Sequence, residues 1–224
     1  MDWIAVAAAK RARYAEPHGE LDERGLVRRA NTAYAAGLAL LMAGDPEAPE
    51  WLRRAAEQWR ASWDVGEGRE SWGRPIGAVK ASLLAGDEVA LEEQARWALE
   101  VGSATAESSI GRYGGALALL ALRRWAEARH VAESLRLAEE FPADVASAVA
   151  FIAAHDVLGY VEAVESVVES FETRTEFLED VRVADTALVL HELARRRGIE
   201  EPLPVSPVLP SPSRPARSRG GTRR

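Results

Sequence analysis

Apolar residues recur along almost the whole chain at the three- and four-residue spacing of an α-helix, and no stretch alternates as a half-buried strand does. The first clear stripe comprises Leu26, Ala30, Ala33, Tyr34, Gly37, Leu38 and Leu41. The Gly44-Asp45 pair then predicts a left-handed stop followed by a capping side chain. A second stripe runs from Trp51 to Trp63. Because only a few residues join the two helices, they must lie antiparallel as a hairpin.

The pattern of helix, turn and helix returns three more times. Leu83-Leu84-Ala85-Gly86-Asp87 matches Leu41-Met42-Ala43-Gly44-Asp45 at an offset of 42 residues. Turns near Arg124 and Asp156 shorten the repeat to about 37 and then 32 residues. Such periods are typical of helical-repeat arrays. The strict tetratricopeptide pattern does not occur, so the predicted all-α fold is an irregular array of antiparallel hairpins, either a tetratricopeptide-like superhelix or a compact bundle.

The end of the chain has a different character. A closing helix is predicted over Val183 to Arg197, ending at Gly198. Six prolines between 202 and 215, four of them within 201–210, then favour extended structure, and the leucines and valines of a strap over 201–210, among them Val205 and Val208, are expected to pack back on the array. We predict a helical-hairpin domain over 1–200, this strap, and a basic disordered tail over 211–224.

Composition narrows the range of functions. The chain has 224 residues and no cysteine, which excludes disulfides, thiolate nucleophiles and cysteine zinc sites. The formal net charge is −7, and it includes five arginines in the last fourteen residues, so the first 210 residues carry −12. An acidic body opposes nucleic acid and suits a basic partner, although acidity also serves solubility alone. The N-terminus is a poor secretory signal and no apolar run spans a membrane, so we expect a cytoplasmic protein without membrane contact.

Catalytic and metal-binding patterns are weak. The four histidines, His18, His130, His155 and His191, lack the i, i+4 pairing of a helical metal site. Arg124 and His130 are spaced as in the motif of the helical HEPN ribonucleases, but Trp125 replaces the polar residue that usually follows the arginine. We therefore expect no enzyme activity, no metal and no cofactor, and keep the ribonuclease as a remote alternative.

The side chain of Trp72 can have either of two roles. Ser71-Trp72-Gly73-Arg74-Pro75 forms a hinge before the second hairpin. A tryptophan in such a place can anchor a protein interface. It can equally fill the space between two hairpins, which is the interpretation we favour.

From Ser71 onward the chain resembles the immunity protein 49 family, the immunity partners of bacterial polymorphic toxins. The resemblance rests on short stretches in a fixed order: Ser71-Trp72-Gly73-Arg74 with Ala78-Val79-Lys80, Ile110-Gly111-Arg112-Tyr113, Ser170-Phe171-Glu172, Val183-Ala184-Asp185-Thr186-Ala187-Leu188, Ala194-Arg195-Arg196-Arg197-Gly198 and Ser206-Pro207-Val208-Leu209-Pro210. It covers roughly the last two thirds of the folded region.

The resemblance implies that the protein binds and neutralises a cognate toxin in the cytoplasm without turnover, as a monomer or weak homodimer. Candidate partner-binding residues, which are large or charged and lie near the starts of successive helices, are Trp72, Arg74, Lys80, Arg112 and Tyr113. The alternative for the three basic residues is pairing with internal acids. The alternative function is a tetratricopeptide-like adaptor that binds a peptide or regulator in an open groove.

Overall fold

The computed structural model describes residues 1–17, 21–66 and 71–211. Within these ranges the chain forms α-helices and two short 3₁₀ turns and no β-strand. The helices are α1 (Trp3–Ala15), α2 (Glu23–Ala43), α3 (Ala48–Val65), α4 (Gly73–Ala85), α5 (Glu88–Glu100), α6 (Ser109–Ala121), α7 (Trp125–Arg136), α8 (Ala143–Ala154), α9 (Val157–Thr173) and α10 (Asp185–Arg197). The 3₁₀ turns are Ser103–Thr105 and Leu178–Asp180.

The predicted array of four hairpins is confirmed. The hairpins are α2 with α3, α4 with α5, α6 with α7, and α8 with α9, and each also packs against the next. The first helices of successive hairpins, α4, α6 and α8, lie beside one another to form an inner layer, and α10 packs across them. Buried apolar residues form one continuous core through these helices.

The drifting repeat is visible in the backbone. After the first helix of each hairpin comes one residue in the left-handed conformation: Gly44 and Gly86 at φ 68°, Arg123 and His155 at φ 58°. Their positions reproduce the spacings of 42, 37 and 32 residues. After these stops Asp45 accepts a hydrogen bond from the Glu47 amide at 2.9 Å, and Asp87 and Asp156 cap α5 and α9. The sequence therefore located every hairpin turn.

Glycines permit close packing between neighbouring elements of the array. A Cβ on Gly115 of α6 would lie 2.3 Å from the backbone Cα of Ala104, and one on Gly37 of α2 would lie 2.7 Å from the side chain of Leu52. The Gly114-Gly115 pair therefore permits other elements to pack closely against the apolar helix α6. The Ser103–Thr105 turn lies against Gly115.

The two ends of the chain differ from the prediction in detail. The N-terminal residues form α1, a helix that the sequence analysis did not assign. The closing helix begins at Asp185 and not at Val183, since Ala184 has the non-helical backbone angles φ −78° and ψ 63°. The Ala184 amide donates to the carbonyl of Val208 at 2.8 Å. Val208 and Leu209 are buried, whereas Val205 is 88% exposed. The predicted disordered tail lies, from residue 212 on, outside the described residues. No helix in the described ranges is both long and apolar enough to cross a membrane.

Candidate functional site

The inner layer of the array is covered by the chain's own last helix. One face of α10 is buried against α4, α6, α8 and α9, through Ala187, Leu188, Val189, Leu190, Leu193 and Ala194. At its C-terminal end Arg196 forms an ion pair with Glu88 and donates to the carbonyl of Ala121 at 3.1 Å. The groove that an open helical-repeat adaptor offers to a peptide is therefore filled here along α4 to α8.

A polar cluster fixes the other end of α10. Asp185 Oδ2 lies 2.5 Å from Lys80 Nζ and accepts a hydrogen bond from the Tyr34 hydroxyl at 3.0 Å. Lys80 also donates to Thr186 Oγ1 at 3.3 Å. Burial raises the pKa of Tyr34 well above its usual value, and the negative charge of Asp185 raises it further. Burial also raises the pKa of Tyr113, again with help from Asp185. The charges of this cluster satisfy one another and hold α10 on α2 and α4.

Beside this cluster is a cavity of about 530 Å³, which we call the end cavity. Lys80, Asp185 and Thr186 line one side. Its apolar wall comes from α2, from the end of α9 and from the segment before α10, and includes Leu38, Phe171, Phe177, Leu178, Val181 and Val183. Because Lys80 and Asp185 are already paired, the end cavity offers mainly apolar surface.

The structure divides the five candidate partner-binding residues. Lys80 and Tyr113 both lie near the start of α10, where each is close to Asp185 and Thr186. Arg74 is buried, pairs with Glu23 and donates to the carbonyl of Ser62 at 3.3 Å. Arg112 is half-buried and donates to the carbonyl of Glu107 at 2.8 Å. The alternative of internal acidic partners thus holds for Arg74 and Lys80, while Arg112 bonds a backbone carbonyl. Arg74 and Tyr113 are too deeply buried to meet a partner in this conformation.

Trp72 lies between hairpins. Its ring centroid is 6.3 Å from that of Trp63 at the end of α3, and a Cβ on Gly111 at the start of α6 would lie 2.9 Å from the Trp72 ring. The side chain is half-buried. These contacts agree with the interpretation that Trp72 fills the space between hairpins.

The residues considered for catalysis or metal binding differ in burial and in their contacts. His130 is exposed, and Arg124 is held by two hydrogen bonds to Glu127 at 2.7 and 2.5 Å. His155 is a turn residue, and the pKa of His191 on α10 is lowered by burial. His18 lies outside the described residues. In the described part of the chain, no three histidine or acidic side chains are grouped to hold a metal ion.

A repeated motif on the outer helices escaped the sequence analysis. Residues 57–64 of α3 read EQWRASWD and residues 93–100 of α5 read EQARWALE, which share glutamate, glutamine, arginine and a final acid at an offset of 36 residues. The two segments line a cleft of about 550 Å³, which we call the α3–α5 cleft. Its walls are Glu57, Arg60, Ala61, Asp64, Glu93, Gln94, Arg96, Trp97 and Glu100. The internal repeat was the sequence signal that could have located it.

The acids of the α3–α5 cleft are left without internal partners. Glu57, Asp64, Glu93 and Glu100 are exposed, and none forms an ion pair with another described residue. Both arginines of the cleft already contact other side chains, and Arg60 does so within the cleft, because Trp97 is one of its walls. Arg60 lies over the Trp97 ring at 4.8 Å from its centroid, and Arg96 pairs with Glu92.

Helix α9 carries a second acidic face. Glu162, Glu165 and Glu169 are exposed on it, and α9 contains no lysine or arginine. These three glutamates also lack an ion-pair partner within the described ranges. Between the two acidic regions, the acids of α7 are neutralised locally, since Glu127 pairs with Arg124 and Glu133 with Arg136.

Comparison of the chain with known protein families, with curated proteins and with solved structures finds no match.

Proposed function

We propose that this is a non-enzymatic immunity protein that binds a cognate basic toxin domain and blocks it. The observation that carries the proposal is the set of seven exposed carboxylates on α3, α5 and α9 without ion-pair partners among the described residues: Glu57, Asp64, Glu93, Glu100, Glu162, Glu165 and Glu169. The resemblance to the immunity protein 49 family supports it from the sequence.

Unpaired surface acids add little to the stability of the fold, but their summed field acts at a distance. Clusters of one sign attract a partner of the opposite sign, raise the association rate and make it sensitive to salt. An acidic body that served solubility alone would need only net charge and not two concentrated faces. We therefore expect a tight one-to-one complex whose association rate falls steeply as ionic strength rises.

The position of α10 disfavours the adaptor alternative. A peptide-binding array needs an accessible inner layer, whereas α10 buries that layer along α4, α6 and α8. The ribonuclease alternative gains no support either, because Arg124 of its arginine-histidine pair is held by Glu127.

The proposal is tested by co-expression with the product of an adjacent gene that arrests growth when it is expressed alone. Growth should be restored, and the two purified proteins should sediment as a one-to-one complex. Arrest that persists although both proteins are present in soluble form would refute the proposal for that toxin.

A further inference from the structure

We propose that the end cavity binds a small neutral molecule with an apolar body and one head group that both donates and accepts hydrogen bonds, such as an alcohol or an amide. None of the seven acids on which the proposed function rests lines this cavity. The inference therefore goes beyond the proposed function, and either can fail without the other.

The shape and lining of the end cavity suit an apolar ligand. Its walls come from α2, α4, the end of α9, the segment 174–184 and the start of α10. Its volume of about 530 Å³ lies within the range of about 300 to 1,000 Å³ that is usual for ligand pockets. Part of the apolar lining stays in contact with solvent, because Phe177 is half-buried and Leu178 is 46% exposed. An apolar ligand gains free energy by covering these side chains.

The polar end of the cavity has hydrogen-bonding capacity left over. The Lys80 ammonium group carries three N–H donors, of which one goes to Asp185 Oδ2 and one to Thr186 Oγ1. Asp185 Oδ2 accepts from Lys80 and Tyr34, while its Oδ1 accepts from no described residue. The ion pair therefore offers both a donor and an acceptor beside the apolar walls, which matches a hydroxyl or an amide group.

The charges that line the end cavity balance one another. Lys80 pairs with Asp185 at the polar end, and Arg174 and Glu176 add one exposed charge of each sign. A carboxylate or an ammonium group would leave water without meeting a net opposite charge, which costs free energy. A neutral head group avoids this cost and still forms its hydrogen bonds. The lining therefore favours a neutral molecule over an ion of the same size.

The backbone of one cavity wall is strained. Glu179 and Asp180 both adopt the left-handed conformation, at φ 54° and 59°. Such strain persists only where other contacts hold it, and it is found preferentially at ligand sites. Here the Glu179 carboxylate is held by Lys10 and Arg13 of α1, at 3.3 and 2.8 Å. These ion pairs fix the segment 174–184 and with it the apolar wall of the cavity.

The first test compares three probes that share an eight-carbon chain, 1-octanol, octanoate and octylammonium, on the full-length protein. Binding is followed by the methyl signals in nuclear magnetic resonance spectra. We expect 1-octanol to shift the signals of Leu38, Val181 and Val183 and to bind at least about tenfold more tightly than either ion. The inference is overturned if 1-octanol gives no saturable shift, if an ion binds as tightly, or if the shifts spread over methyl groups outside the cavity.

Two leucine variants test the location. Leu178→Ser removes an apolar side chain from the cavity wall, and Leu158→Ser makes the same change at the start of α9, where the leucine is 79% exposed and does not line the cavity. Circular dichroism checks that both variants keep the fold. We expect Leu178→Ser to weaken the binding of 1-octanol at least about threefold and Leu158→Ser to change it less than about 1.5-fold. Equal affinities of the two variants would show that 1-octanol does not bind in the end cavity.

Two exposed charges test why the ligand is neutral. Glu176→Gln leaves one excess positive charge on the lining and should tighten the binding of octanoate about threefold, while Arg174→Gln should do the same for octylammonium. Neither variant should change the affinity for 1-octanol more than about 1.5-fold, because an uncharged probe does not respond to the balance. If both variants leave the ratios among the three probes unchanged, the charge balance does not select the ligand and the assignment of a neutral class fails.

Discussion

At the scale of single residues, the four hairpin turns use the same backbone conformation with different side chains. Gly44 and Gly86 occupy two of the left-handed positions, while Arg123 and His155 occupy the other two. A residue with a Cβ pays about 1 kcal/mol or more for this conformation, and glycine does not. The backbone is therefore locally strained at Arg123 and His155, and the packing of the surrounding hairpins holds it in this conformation.

Replacing the strained residues with glycine should stabilise the protein. We expect Arg123→Gly and His155→Gly each to raise the free energy of unfolding by about 1 kcal/mol, measured by urea denaturation. Gly44→Ala is the matched control, because a Cβ there meets no described atom within 4 Å and adds backbone strain alone. It should cost about 1 kcal/mol. Destabilisation by both glycine variants would contradict this account of the turns.

The ion pair of Lys80 and Asp185 is a second residue-scale feature, and it predicts how stability changes when one or both charges are removed. Both side chains are mostly buried, at 12% and 18% exposed. Lys80→Met leaves the Asp185 carboxylate with only the Tyr34 hydroxyl, so the free energy of unfolding should fall by about 3 kcal/mol. The double variant Lys80→Met/Asp185→Asn removes both charges and should recover at least half of the loss in the same urea experiment. A double variant as unstable as Lys80→Met would show that the charge imbalance is not the cause.

At the scale of helices and turns, close approach depends on a few small residues. Gly115 of α6 faces the backbone of Ala104 so closely that any side chain must push the Ser103–Thr105 turn away. We expect Gly115→Ala to destabilise the protein by about 2 kcal/mol, the usual range for overpacking. Gly73→Ala, where a Cβ meets no described atom within 4 Å, should be neutral or stabilise by up to about 0.5 kcal/mol. Melting temperatures of the two variants measure the difference, and equal losses would contradict it.

The helices themselves were predictable because their signals are local. Apolar periodicity and the Gly44-Asp45 and Gly86-Asp87 pairs define the hairpins from neighbouring residues alone. The position of α10 was not predictable in the same way. Its sequence shows an amphipathic helix with a C-terminal glycine, but whether it extends the array or covers the inner layer depends on contacts with α4, α6 and α8, far away in the chain.

The candidate site was predictable only in part, for a related reason. Large and basic residues near the starts of inner helices suggested a partner surface, yet an inner position in an array leads to burial, as Arg74 and Tyr113 show. The two segments that line the α3–α5 cleft are recognisable in the sequence, because residues 93–100 repeat the pattern of residues 57–64. What the sequence does not show is that the two copies face a common space, which requires the packed array.

At the scale of the whole molecule, α10 closes the structure against three buried tyrosines from three different helices. Tyr34 of α2 donates to Asp185, Tyr113 of α6 lies near Asp185 and Thr186, and Tyr160 of α9 lies near Glu192. Burial raises the pKa of all three hydroxyls, and nearby acids add to the effect. Alkaline pH should therefore weaken the packing of α10 against the array and lower the free energy of unfolding.

The sign of the pH effect follows from the direction of these pKa shifts. In the unfolded chain each tyrosine ionises near pH 10, while in the folded protein it stays neutral to a higher pH. The contribution of the tyrosines is complete below pH 10 and is lost as pH rises above it, with a limiting slope of about 4 kcal/mol per pH unit for three groups. Urea denaturation between pH 8 and about 11.5 should show a plateau in the free energy of unfolding followed by a steep fall.

In the control Tyr34→Phe/Tyr113→Phe/Tyr160→Phe the fall should be much shallower. The triple variant should lose only about 1 kcal/mol at pH 8, because Tyr34 donates a well-formed hydrogen bond to Asp185, whereas Tyr113 has at most a weak contact with the Thr186 side chain and the Tyr160 hydroxyl has no partner among the described residues. If the triple variant falls as steeply as the wild type, the buried tyrosines do not control the alkaline limit of the fold.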